Sequence, residues 1–304
     1  MQTWLLVAFI APFLWALVVL LDVYFTQKAY SEAAEGTIIS AFYQGIVLLS
    51  IPFVGYSWPS SGWFFFVAGA CFIWSCHWYF RSLMIGGDGA MAQIAWNLST
   101  LLVPLFAWRI SGESLEPIHY LGILFAFFGG TILALDKEIL NRNFSRIVWN
   151  MAPAVVGLSL SMTFQKRAFD ESPDFFQGFL TYSMGIVVGG IIVLFFHPKA
   201  KDVVFRVVRL SRRYWRIFLL GESLSVLALG CSSFAIKIAP AVSFVAVIES
   251  LVPAFVMVLS MVFARIYFVT KHPDYQKICE EQVAGFKGKF GAIVMIAVGI
   301  YFIT

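Results

Sequence analysis

Residues 242–265 read VSFVAVIESLVPAFVMVLSMVFAR, an apolar run broken by Glu249 and, four residues later, by Pro253. Crossing a hydrocarbon layer about 30 Å thick takes about 20 mostly apolar residues, so this run is long enough to do it. A charged side chain at the centre of such a helix costs about 2.5–3.5 kcal/mol on insertion scales. A carboxylate kept there is expected to face a partner or a wet cavity. Proline has no N–H, so Pro253 deprives the carbonyl of residue 249 of its i→i+4 donor. A free acceptor at that depth is tolerated only against protein or water. Glu249 therefore predicts a polar site inside an apolar chain.

The rest of the chain has the same character. Of its 304 residues, 60% are hydrophobic and 12% charged, and the mean hydropathy is +0.84. Soluble chains carry about 25% charged residues, so the composition implies an integral membrane protein. The apolar runs are continuous rather than alternating, which argues against a β-barrel. The opening MQTWLLVAFIAPFLW lacks a charged leader region and a small-residue cleavage site, and reads as a first membrane helix. Cys71, Cys76, Cys231 and Cys279 have no metal-type spacing; three lie in apolar segments, where a thiol acts as a small hydrophobe.

Apolar runs predict ten spans, at 4–26, 37–57, 62–84, 90–110, 117–135, 146–166, 174–196, 214–236, 238–264 and 286–303. Echoes recur in the same order in both halves. Ala11-Pro12 with Gln27-Lys28 matches Ala152-Pro153 with Gln165-Lys166, and LLVP ending at Pro104 matches SLVP ending at Pro253. Gly122 and Gly130 match Gly291 and Gly299 with equal internal spacing. The expected fold is an all-α membrane protein, its ten transmembrane helices forming two inverted five-helix repeats, 1–145 and 146–304. An odd number of spans per repeat makes the second enter from the opposite face, an architecture that recurs in secondary transporters.

The stretches PFLWALVVLLDVYFTQK, AQIAWNLSTLLVPLFAWRISGE, LGILFAFFGGTIL and AVSFVAVIESLVPAFVMVLSMVFA carry a likeness to a known family. On them the chain resembles the drug/metabolite transporter superfamily, in particular its EamA-domain proteins. The second half departs where the family often has Gly-Glu, as Gly112-Glu113 does here, by ending in Ala264-Arg265. The resemblance implies a small-solute carrier, often an exporter, with a central cavity between the halves and both termini inside the cell. It also assigns Glu113 to a structural corner more than to the site. The Lys and Arg count gives the other orientation: 17 in the odd-numbered connections against 4 in the even ones. The positive-inside rule then places the odd connections in the cytoplasm and both termini outside. The expected location is the plasma (inner) membrane.

Within the basic connection at 197–216, Arg206, Arg209, Arg213 and Arg216 recur at helical spacing beside Val203, Val204, Val207 and Val208. This predicts an interfacial helix drawn to anionic lipids, not a nucleic-acid surface. A longer loop is expected at 265–285.

Glu249 is the first candidate for a solute or proton pathway, its alternative a hydrogen-bonded lock on helix packing. Asp22 is the second carboxylate, either facing the cavity or snorkelling to a membrane end. Glu222 is read as cavity-facing, interfacial or ion-paired. His77, close to Arg81, is a relay or a packing residue. Gln44, Tyr43, Gln93, Asn97, Ser99 and Thr100 supply neutral hydrogen-bonding groups, Thr100 beside the acceptor freed by Pro104. Both Pro104 and Pro253 are expected to kink their helices. Trp15, Trp74, Trp78 and Trp96 are candidate walls. No Walker-type phosphate loop, zinc spacing or triad appears. The expectation is a non-enzymatic secondary transporter of a small metabolite, without cofactor or metal, with protons as the coupling ion that Glu249 suits, as a monomer or homodimer. The alternative is a lipid-handling protein or membrane enzyme using the intramembrane acids.

Overall fold

The fold was analysed in a computed structural model, which describes residues 3–86, 96–134, 144–265 and 286–304. The described residues form helices and no strand. In chain order these are α1 Thr3–Lys28, α2 Ala33–Val54, α3 Gly62–Gly86, α4 Ser99–Ile110, α5 Pro117–Ala134 and α6 Phe144–Glu171. They continue with α7 Phe175–Phe195, α8 Ala200–Ile238, α9 Val242–Glu249, α10 Val252–Arg265 and α11 Phe286–Ile303.

Among the described residues, six helices are long and apolar enough to cross a membrane: α1, α2, α3, α7, α8 and the α9–α10 pair. Shorter apolar helices cover 99–110, 117–133 and 290–303. The outer surface carries side chains that water would not tolerate in such density, among them Phe53 at 88% and Phe195 at 79% exposure. Length, composition and surface together fit an integral membrane protein.

Packing is tightest where glycine removes the side chain between two helices. A Cβ on Gly69 of α3 would lie 2.0 Å from the Tyr182 carbonyl of α7, and one on Gly185 would lie 2.0 Å from the Phe66 carbonyl. The same device joins α5 to α11, where Gly122 meets the Gly299 backbone. Small residues that let backbones approach are how helices associate without a hydrophobic drive between them. Around these contacts α3 packs on α6 and α7, while α1 packs on α8 and α10.

The basic connection joins the span that follows at a kink: within α8, Ala200–Ile238, two helices meet at Tyr214, whose backbone is non-helical (φ −116°, ψ 18°). One expectation changes. The prolines do not simply kink their helices. Pro104 lies inside a continuous α4, and the interruption falls earlier, at Leu98. Near Pro253 the chain breaks at Ser250–Leu251, and Pro253 sits in the first turn of α10, where its missing N–H would have had no partner anyway. The 266–285 loop lies outside the described residues.

Candidate functional site: a cavity with three carboxylates

Asp22, Glu222 and Glu249 line one interior cavity of about 80 Å³. On the same measure one water needs about 10–15 Å³, so the space holds several. Asp22 and Glu222 arrive on helical stripes, and Glu249 at the end of α9. Trp15, Val18, Val19 and Asp22 follow one face of α1, Phe72, Cys76, Tyr79 and Phe80 one face of α3, and Phe218, Gly221, Glu222 and Ser225 one face of α8. The α1 and α8 sets are i, i+3, i+4, i+7 series and the α3 set is i, i+4, i+7, i+8, each one face of a helix. Trp96 and Val252 complete the wall from the chain before α4 and from α10.

Among the described residues the carboxylates have few partners. The Ser40 hydroxyl of α2 donates to Glu222 at 2.9 Å, and the Ser232 hydroxyl of α8 donates to Glu249 at 2.6 Å. Ser232 in turn accepts from the Trp15 indole at 3.3 Å. The Tyr79 hydroxyl is buried at the same wall and donates to the Asp22 carboxylate. No Lys, Arg or His lines the cavity among the described residues.

A second, smaller cavity lies beyond Glu249. Trp15, Phe72, Trp96 and Glu249 line both spaces and so form the partition between them. On the far side stand Ser161, Gln165, Tyr182, Ser232 and Ile236. The partition is a row of mutually tilted rings held by a hydrogen bond: Trp15 to Phe72 and Phe72 to Tyr182 are each 6.1 Å between centroids. At its other end the first cavity meets Phe25, Phe80 and Phe218, rings that also cluster with Tyr30 and Tyr214.

Each end of the bundle is tied by polar contacts. Beyond the smaller cavity, Gly112 in the left-handed conformation (φ +69°) ends α4 and turns Glu113 onto the start of α9. There the carboxylate accepts from the Val242 N–H at 2.8 Å and the Ser243 N–H at 3.4 Å, and also from the Ser243 hydroxyl. This caps a helix that has no side-chain cap of its own. Burial pushes the Glu113 carboxyl above its ordinary range, opposed by those hydrogen bonds and the Lys166 charge. Lys166 bonds the Ala239 carbonyl at 3.0 Å beside it. At the opposite end Arg206 bridges Glu35 at 2.5 Å and Glu32 at 2.7 Å, and His197 contacts Glu32 at 3.1 Å.

The expected site residues divide. Glu249, Asp22, Glu222 and Trp15 meet in the cavity, and Glu222 is neither interfacial nor ion-paired among the described residues. Asn97 does not line it: its amide bonds the Phe127 carbonyl at 3.2 Å and fills the space that Gly130 leaves on α5. Thr100 reaches the Ala246 carbonyl of α9 at 3.4 Å, so it ties α4 to α9 and does not line the cavity. Gln44 is spent on Ser183 of α7 at 2.9 Å. His77 meets Thr37 at 3.2 Å between α2 and α3, Trp78 lies under Arg81, and Tyr43 packs edge-on against Phe42; none lines the cavity. Gln93 lies outside the described residues. Arg206, expected at lipid, is held by Glu32 and Glu35, whereas Arg209, Arg213 and Arg216 lie exposed over Phe205, Tyr214 and Trp215.

Sequence reading missed Ser232, Ser40 and Tyr79. Tyr79 was legible as part of the Phe72–Phe80 stripe; nothing local distinguishes the two serines from other membrane-helix serines.

Compared with known proteins, the chain matches no family model and no curated relative. In structure, 23 solved chains match. One, a crystal structure of a protein, has a TM-score of 0.63 at 18% identity, covering 100% of this chain and 98% of its own. At that identity the likeness speaks to the fold alone.

Proposed function

We propose that the chain is a secondary transporter of a small metabolite, built like the EamA-type drug/metabolite transporters from two inverted five-helix halves, 1–145 and 146–304. The solute occupies the carboxylate cavity, and the halves rock about the partition of Trp15, Phe72, Trp96 and Glu249. The observation that carries this reading is the make-up of the cavity: α1, α2 and α3 from one half and α8 and α10 from the other surround one polar space. A discontinuous helix at that space, broken beside Glu249, is a recurring feature of carrier sites. Two cavities divided by one hydrogen-bonded layer suit a site exposed to one face at a time.

Protons are the coupling ion in this account. Glu249 takes up and releases them when Ser232 exchanges its hydrogen bond, with Asp22, Glu222, Tyr79, Cys76 and Tyr182 as the titratable neighbours from α1, α8, α3 and α7. The odd-numbered connections face the cytoplasm of the plasma (inner) membrane, following the Lys and Arg balance. Exposed Arg209, Arg213 and Arg216 rest on anionic headgroups there.

The test is flux in proteoliposomes under an imposed pH gradient, with a metabolite selected by thermal-shift screening. Uptake should follow the gradient in the wild type and lose that dependence in Glu249→Gln. An unchanged dependence in the variant would remove Glu249 from the coupling.

A further inference from the structure

We propose that the cavity selects an organic cation, specifically a protonated amine on a compact apolar or aromatic body. The inference rests on the carrier reading for the statement that this cavity is the solute site. It goes further by assigning the charge and shape of what enters.

Charge is the first argument. Three carboxylates face one space, and among the described residues no basic side chain lines it. Ion pairs do occur elsewhere in the chain, at Arg206 with Glu32 and Glu35 and at Lys166 with Asp170, so the cavity lacks a basic partner that the chain supplies in other places. An anionic solute would meet uncompensated like charge in a low-dielectric space, which is strongly unfavourable. A neutral solute would leave the acids without the cation that their grouping calls for.

Hydrogen-bonding capacity is the second, independent argument. A carboxylate offers about four acceptor sites, yet among the described residues Glu222 and Glu249 each receive one serine hydroxyl. The Tyr79 hydroxyl, on a residue only 8% exposed, stands at the same wall beside the Asp22 carboxylate, to which it donates, which leaves its oxygen as an acceptor. An ammonium group has three donors and no acceptor. It can donate to two carboxylate oxygens and to the Tyr79 oxygen together, which no anion can do.

Shape is the third. The remaining wall is largely aromatic, with Trp15, Phe72 and Trp96 on one side and Phe25, Phe80 and Phe218 on the other. Ring faces attract cations and accept apolar or aromatic bodies. The combination suits an amine with an attached ring or short hydrocarbon.

The test uses three probes of nearly equal size: phenethylamine, 2-phenylethanol and 3-phenylpropanoate. Binding of each to the purified full-length protein in detergent is measured by calorimetry at pH 7. The amine is expected to bind at least tenfold more tightly than the alcohol, and the carboxylate not at all. Glu222→Gln and Glu249→Gln should each weaken the amine at least tenfold without changing the alcohol. Alcohol or carboxylate binding as tight as the amine overturns the inference, as does amine binding unchanged in both variants or absent at millimolar concentration. The wild-type comparison stands even if a variant does not fold. Amine binding without flux in proteoliposomes would keep this assignment and remove the carrier reading; flux of an anion with no amine binding would do the reverse.

Discussion

The Ser232 hydroxyl donates to Glu249 at 2.6 Å while accepting from the Trp15 indole at 3.3 Å, so one serine joins α1, α8 and α9 at the partition between two cavities. The acid that ends α9 is thereby tied to the ring that closes the space.

Ser232→Ala removes both links. Loss of a hydrogen bond to an acid of this kind costs about 1–3 kcal/mol, and the variant should unfold several degrees below the wild type in a thermal scan. Flux should fall with it. Ser232→Thr keeps the hydroxyl and should recover most of both. A wild-type thermal midpoint and flux in Ser232→Ala would show the linkage to be incidental.

Glu113 caps α9 from the connection between α4 and α5, so its removal should act at a distance from the cavity. Glu113→Ala is expected to cost about 0.5–2 kcal/mol, the range for lost caps. The pH dependence has a definite sign. Burial raises the Glu113 carboxyl above its ordinary range, so between the unfolded and folded values the folded state holds the extra proton. Stability should therefore fall as pH rises through that window. Glu113→Gln, which cannot titrate, should lack this part of the slope in denaturation curves taken across the window.

The ion cluster at the other end predicts an asymmetry among the arginines. Arg206 compensates Glu35, which has no exposure. Arg206→Ala should destabilise by about 2–4 kcal/mol, because it strands a buried acid. Arg209→Gln, Arg213→Gln and Arg216→Gln together should leave the thermal midpoint in neutral detergent within about 0.5 kcal/mol of wild type. Phosphatidylglycerol should raise the thermal midpoint of the wild type, and the triple variant should lose that rise. Equal losses in both variants would contradict the division.

Glycine contacts give a packing prediction. Gly69→Val places a side chain against the Tyr182 carbonyl and should cost about 1–3 kcal/mol or prevent accumulation of folded protein. Gly291→Ala, with nothing within 4 Å of the added carbon, should be neutral. Expression and thermal midpoint, measured side by side, check both.

Much of this arrangement was legible in the chain because membrane helices announce themselves by long apolar runs, and an acid inside one is conspicuous. Glu249, Asp22 and Glu222 were found that way. Their convergence could not be read, because it depends on the rotation of α1, α8 and α9 about their axes, which long-range packing decides and no local sequence pattern states. Asn97 shows the converse. Its amide looks like a site residue in sequence, yet Gly130 on α5 opens a slot that takes it away from the cavity. Pro253 marked a real interruption, but its position in the first turn of α10 moved the break upstream to Ser250–Leu251. Ser232 carried no signal at all, since its importance comes from Trp15 more than two hundred positions away.

Accessibility on the two sides of the partition is the most direct measurement. With the four native cysteines replaced, Ser225→Cys lies in the larger cavity and Ser161→Cys in the smaller. In membrane vesicles of known orientation, a membrane-impermeant thiol reagent should label Ser225→Cys from one face only and Ser161→Cys from the other only, with solute changing the two rates in opposite directions. Labelling of both positions from the same face, or of neither from any face, would contradict a carrier working by alternating access about Glu249.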